Sequence, residues 1–134
     1  MRLLFFKEAF AWPRAKGHDV HCYHMMQALG QLGHEVSLVT LAPTPPESVR
    51  GLKLTLTRVL RGSEKETNGE PPPSLTRFQE RFRSYWGIER SHIQGVARAA
   101  RDCGAEAVVA VGLSVLPYLA GVRGAQRVWY AADE

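Results

Sequence analysis

The sequence predicts an α/β fold: a doubly wound parallel sheet in strand order 3-2-1-4-5, flanked by helices. Two stretches carry that prediction. Residues 16–40 hold a helix start, an amphipathic helix, a glycine stop and a short apolar strand in that order, and residues 2–6 ahead of them form another apolar run. Strand, loop, helix, turn, strand is a βαβ unit, which crosses over right-handed onto a parallel sheet. The second stretch is residues 107–111 (AVVAV), a continuous apolar run of the kind expected for a strand covered on both faces.

Each element follows from a local signal. Asp19 is the N-cap expected for the first helix, because its carboxylate can accept from first-turn N–H groups. Cys22, Met25, Met26, Leu29 and Leu32 recur at helical spacing and form its expected buried stripe. Gly33 marks the stop, and residues 35–41 read as the second strand. Pro43 to Pro46 end that strand. Residues 53–60 (KLTLTRVL) alternate and read as a third strand. Residues 61–74 are polar, rich in glycine and proline, and read as a loop. Residues 75–103 read as mostly helical with a break near Gly87. Phe78, Phe82, Tyr85 and Trp86 begin an apolar face that Ile88, Ile93, Val96, Ala97 and Ala100 continue, and Gly104 stops the helix. Residues 112–121 read as a turn and short helix capped by Ser114, and 127–131 as a last strand.

At 134 residues the chain suffices for one domain with a sizeable core. No apolar run approaches the ~18–20 residues of a membrane span. The N-terminal apolar run is broken by Lys7 and Glu8, too early for a signal peptide, so the expected location is cytoplasmic. Cys22 and Cys103 are expected as free, mostly buried thiols. The net charge of +4 is concentrated from Leu75 to Arg101, where six arginines face two glutamates. With aromatics at helical spacing, that segment suits a peripheral contact with the inner membrane face. The preferred alternative is a core aromatic face with a solvated basic one. No nucleic-acid module accompanies the charge.

In parallel sheets ligands bind beyond the carboxyl ends of the strands. The loop from Lys7 to His18 is therefore the first place to look for a site. It is long for a βα loop, where ~2–6 residues is usual; the competing reading is a surface excursion pinned by Phe10 and Trp12. The P-loop pattern and the GxGxxG fingerprint are both absent, and Val39-Thr40-Leu41 supplies no acidic residue for a ribose. What remains is Gly17 before a helix start, where backbone N–H groups can take a phosphate. His18, His21, Cys22 and His24 lack the further ligands that a zinc site needs. Asp133 and Glu134, just past the last strand, either face the same crevice or are frayed ends.

These pieces resemble the N-terminal domain of retaining nucleotide-sugar glycosyltransferases of the GT-B fold, in the bacterial group 1 type. The resemblance rests on Gly17-His18 before the first helix, on Gly33-His34-Glu35-Val36 leading into the second strand, and on Ala107 to Leu119 followed by a strand and Asp133. It spans most of the chain outside residues 61–74. Two positions depart from the family pattern. Lys16-Gly17 stands where Gly-Gly is frequent, and Ala131-Ala132-Asp133 where a histidine is frequent.

The resemblance implies a Rossmann-like, acceptor-side domain over residues 1–134. It also implies a nucleotide-sugar domain that lies beyond this sequence, so that the 134 residues alone are expected to be inactive. It implies sugar transfer from a nucleotide-sugar to a glycan, lipid-linked or small-molecule acceptor, with no cofactor and no metal. Lys16, Gly17 and His18 would line the donor-phosphate side, Gly112 and Ser114 the acceptor side, and Asp133 would face the sugar. The alternatives are a sugar-nucleotide epimerase of the same fold and a non-catalytic α/β ligand-binding module.

Overall fold

The computed structural model describes residues 1–14, 17–60, 76, 77 and 89–131. The expected aromatics of residues 78–86, Arg81 and Arg83 of the basic segment and the polar stretch 61–74 lie outside them. So do two candidate site residues, Lys16 and Asp133, together with Glu134.

Five strands form one all-parallel sheet: β1 (Arg2–Lys7), β2 (Glu35–Thr40), β3 (Leu54–Val59), β4 (Ala107–Val111) and β5 (Gln126–Tyr130). Their order is β3-β2-β1-β4-β5. The chain steps outward from β1 in one direction, then returns to β1 and steps out in the other. That reversal places the switch point between β1 and β4, which pair from Leu3↔Ala107 to Lys7↔Val111.

The two faces follow from the period-2 alternation of β1. Leu3 and Phe5 point to one side, where they meet Cys22, Tyr23 and Met26 of helix α1 (Gly17–Gln31). Leu4 and Phe6 point to the other, against Ile93, Val96, Ala99 and Ala100 of helix α2 (Arg90–Asp102). Val115, Tyr118 and Leu119 of the 3-10 segment Leu113–Gly121 complete that second layer. The central strands β1, β2 and β4 are therefore apolar on both faces, while the outer strand β5 is largely exposed.

Both helices end alike. The Gly33 N–H bonds the Gly30 carbonyl and the His34 N–H bonds that of Leu29, each at 3.1 Å. This pair of bonds is the Schellman closure, and the φ of 93° at Gly33 is what it demands of a glycine. In α2 the Gly104 and Ala105 N–H groups repeat the pattern on the carbonyls of Arg101 and Ala100.

Three local expectations are corrected. Helix α1 begins at Gly17, two residues before the expected cap, so Asp19 lies inside the first turn. Leu32 lies beyond the last helical residue and is 75% exposed, because the stripe stops at Leu29 where the chain turns toward Gly33. The 3-10 segment takes Gly112 at its cap position with no side-chain cap, and the Ser114 hydroxyl points elsewhere.

Candidate functional site

The carboxyl end of the sheet is built first from Lys7, the last residue of β1. Strand alternation turns its side chain toward α1, into a position only 4% exposed. An ammonium there requires a partner. It finds one in Asp19 of α1, 2% exposed, with Nζ to Oδ1 at 2.8 Å. The ammonium also lies 5.3 Å from the ring centroid of Phe10. Asp19 in turn holds the loop, since its Oδ2 accepts from the Ala11 N–H at 3.4 Å. A carboxylate in the first turn also complements the positive end of the helix. His18 Nε2 stands 3.7 Å from Asp19 Oδ1.

Glu8 continues the connection. Its carbonyl accepts from the N–H groups of Leu41 and Ala42 just past β2, both at 3.0 Å. Its carboxylate accepts from the Ser114 hydroxyl past β4, at 3.1 Å. Glu8 thus ties together the ends of β2, β1 and β4. Phe10 is buried at 2% and anchors the loop, whereas Trp12, its other expected anchor, is 49% exposed.

Gly112 fixes the far side. Its N–H bonds the Tyr130 carbonyl at 2.9 Å and its carbonyl accepts from the Trp129 indole N–H at 3.1 Å. Its φ of 95° and ψ of 161° fall in a region that essentially only glycine enters. The Tyr130 hydroxyl, from β5, stands 3.4 Å from His21 Nδ1 of α1.

Four of the expected site residues therefore share this end: Gly17 and His18 at the helix start, Gly112 and Ser114 beyond β4. Gly17 is exposed, and a Cβ placed on it meets nothing within 4 Å. The histidines and Cys22 do not form one cluster. His18 turns to Asp19, His21 to Tyr130, and Cys22 into the core. Burial pushes the Cys22 thiol up to about 12, which keeps it protonated and poor as a ligand or nucleophile. Burial likewise pushes Tyr118 up to about 12.

Sequence reasoning missed Lys7, Glu8 and the true role of Asp19. A signal was present for the first: a lysine closing an apolar strand is almost never buried unless paired. No protein-family model, no curated protein and no solved structure matches the chain.

Chemically, the site offers an open helix start suited to an anion. Beside it stands a carboxylate–hydroxyl pair suited to ligand hydroxyls. Lys7 adds little net field, because Asp19 neutralises it.

Proposed function

We propose that the chain is the acceptor-side domain of a retaining GT-B glycosyltransferase that takes a nucleotide-sugar donor. The observation that carries this reading is the exposed Gly17 at the start of α1, at the same carboxyl end of the sheet as the Glu8–Ser114 bond. The strand order, with its switch point between β1 and β4, and the sequence resemblance support it.

In this reading the donor diphosphate approaches the first-turn N–H groups over Gly17, where the absent side chain leaves room. His18 follows at the same helix start, and the resemblance would add Lys16 as a partner for the phosphates. The Lys7–Asp19 pair holds the loop so that the helix start stays aimed at the cleft. Ser114 and Glu8 orient acceptor hydroxyls, and the resemblance would give Asp133 the contact with the sugar. The second, nucleotide-sugar domain supplies the positive groups that stabilise the leaving diphosphate.

The test is mass spectrometry of products formed from a panel of nucleotide-sugars and glycan acceptors by the polypeptide that carries both domains. Transfer with retained anomeric configuration is expected. Release of an epimerised nucleotide-sugar would assign the epimerase reaction instead, and consumption of no donor would remove the reading.

A further inference from the structure

We propose that Trp12 is a stacking platform for a pyranose ring of the acceptor; this rests on the transferase reading above. Two exposed tryptophans sit near the carboxyl end of the sheet, Trp12 at 49% and Trp129 at 40%. Trp129 has a structural reason for its place, the bond from its indole N–H to Gly112. Trp12 has no such bond among the described residues. What holds it is the Arg14 guanidinium, whose carbon lies 5.0 Å from the indole centroid.

That contact is the top of a layered stack. The same guanidinium carbon lies 3.8 Å from the ring centroid of Tyr23. Tyr23 is 8% exposed and is anchored in turn by its hydroxyl, which donates to the Arg50 carbonyl. Arg14 Nε is buried without a hydrogen bond among the described residues, and the cation contacts both rings. Core to solvent, the order is Tyr23, Arg14, Trp12. The indole lies against the cation and is 49% exposed, on a loop pinned by Phe10, Asp19 and Glu8. A large aromatic surface held in one orientation in water is preorganised for a flat partner.

The chemistry nearby selects the partner. A pyranose presents a face of C–H groups to an aromatic ring and hydroxyls around its rim. Glu8, four residues earlier on the same loop, and Ser114 beside it are acceptors and donors for such hydroxyls. A nucleobase would stack as well, but base platforms are accompanied by a cationic groove for the backbone. The one cation in residues 8–14 is Arg14, and it is committed beneath the indole.

The test is a glycan array probed with the 134-residue chain, its Trp12→Ala and Trp12→Phe variants, and free uridine or methyl pyranosides as competitors. The expected result has three parts. The wild type binds at least one pyranoside class and is displaced by the free sugar. Trp12→Ala lowers the signal ~10-fold or more, about 1.4 kcal/mol. Trp12→Phe, which keeps a ring, loses less. Equal binding by wild type and Trp12→Ala would overturn the platform and leave the transferase reading standing. Displacement by uridine rather than sugar would overturn it too, by assigning the indole to the donor base. Binding of no glycan by the wild type would remove the acceptor role and the platform together.

Discussion

The Lys7–Asp19 pair gives the sharpest energetic test of this structure. Both side chains are almost fully buried, at 5% and 2% exposed, with a 2.8 Å contact. Removing one partner of such a pair leaves an uncompensated buried charge and costs ~3–5 kcal/mol. A domain of ordinary stability has ~5–15 kcal/mol in total. The two single variants are not equivalent. In Lys7→Met the orphaned Asp19 keeps the Ala11 N–H and the helix start, which offset about 0.3–1 kcal/mol of the loss. In Asp19→Leu the orphaned ammonium keeps only the Phe10 ring among the described groups. Lys7→Met is therefore expected near the lower bound and Asp19→Leu near the upper. The double variant replaces both charges by apolar groups of similar volume and is expected within ~1–2 kcal/mol of wild type, since apolar replacement of a whole pair is often neutral. Urea unfolding followed by circular dichroism measures this; with m near ~1–3 kcal/mol/M the single variants shift the midpoint by roughly 1–5 M. Single losses under ~1 kcal/mol, the range of exposed ion pairs, would refute the reasoning. So would a double variant as unstable as the sum of the singles.

Four further outcomes are expected. Gly112→Ala forces a Cβ into backbone geometry that only glycine tolerates, and should cost ~1–3 kcal/mol with raised amide exchange at the ends of β4 and β5. Gly17→Val meets no neighbour, so its stability should stay within ~0.5 kcal/mol of wild type, the range of surface substitutions. Sugar transfer by the two-domain enzyme should fall ~10-fold or more, equivalent to about 1.4 kcal/mol of barrier, and unchanged kinetics would take Gly17 out of the site. Burial raises the Cys22 thiol to about 12 from an ordinary value of 9.0. Above pH 9 the unfolded chain therefore releases a proton that the folded chain keeps. Stability should fall as pH rises from about 9 toward 12, by up to ~1.4 kcal/mol per pH unit, and Cys22→Ala should flatten that slope. In the native protein iodoacetamide should modify half-buried Cys103 before Cys22.

The order of the strands was legible because the central strands are largely apolar runs, and Gly33, Pro43, Gly104 and Gly112 bound β2 and β4. Gly33 and Gly104 were legible as helix ends for the same reason: the constraint is local to a few residues. Asp19 was misread because its partner lies twelve residues upstream on another element. An N-cap and a buried ion-pair partner look identical in a one-dimensional string. Leu32 was misread because its spacing continues the stripe, and only the turn to Gly33 shows that the helix has already ended. Ser114 was read as a cap on the same local logic, yet its hydroxyl answers to Glu8, across the sheet. One of the two readings of the loop had Trp12 pin it together with Phe10, and Trp12 is instead 49% exposed. The stack with Arg14 depends on Tyr23, on the neighbouring helix. In every miss but Leu32 the deciding contact joins residues from different elements.

Glu8 separates two jobs that a single residue usually merges. Its main-chain carbonyl fastens the end of β2, and any amino acid at this position would present that carbonyl. Its carboxylate reaches Ser114 from an exposed side chain, and that job belongs to glutamate alone. A substitution at position 8 can therefore rewrite what the cleft recognises while the scaffold keeps its fastening. Position 8 is where a lineage descended from this chain would change ligand most readily, because the mutational path there crosses no valley in folding stability.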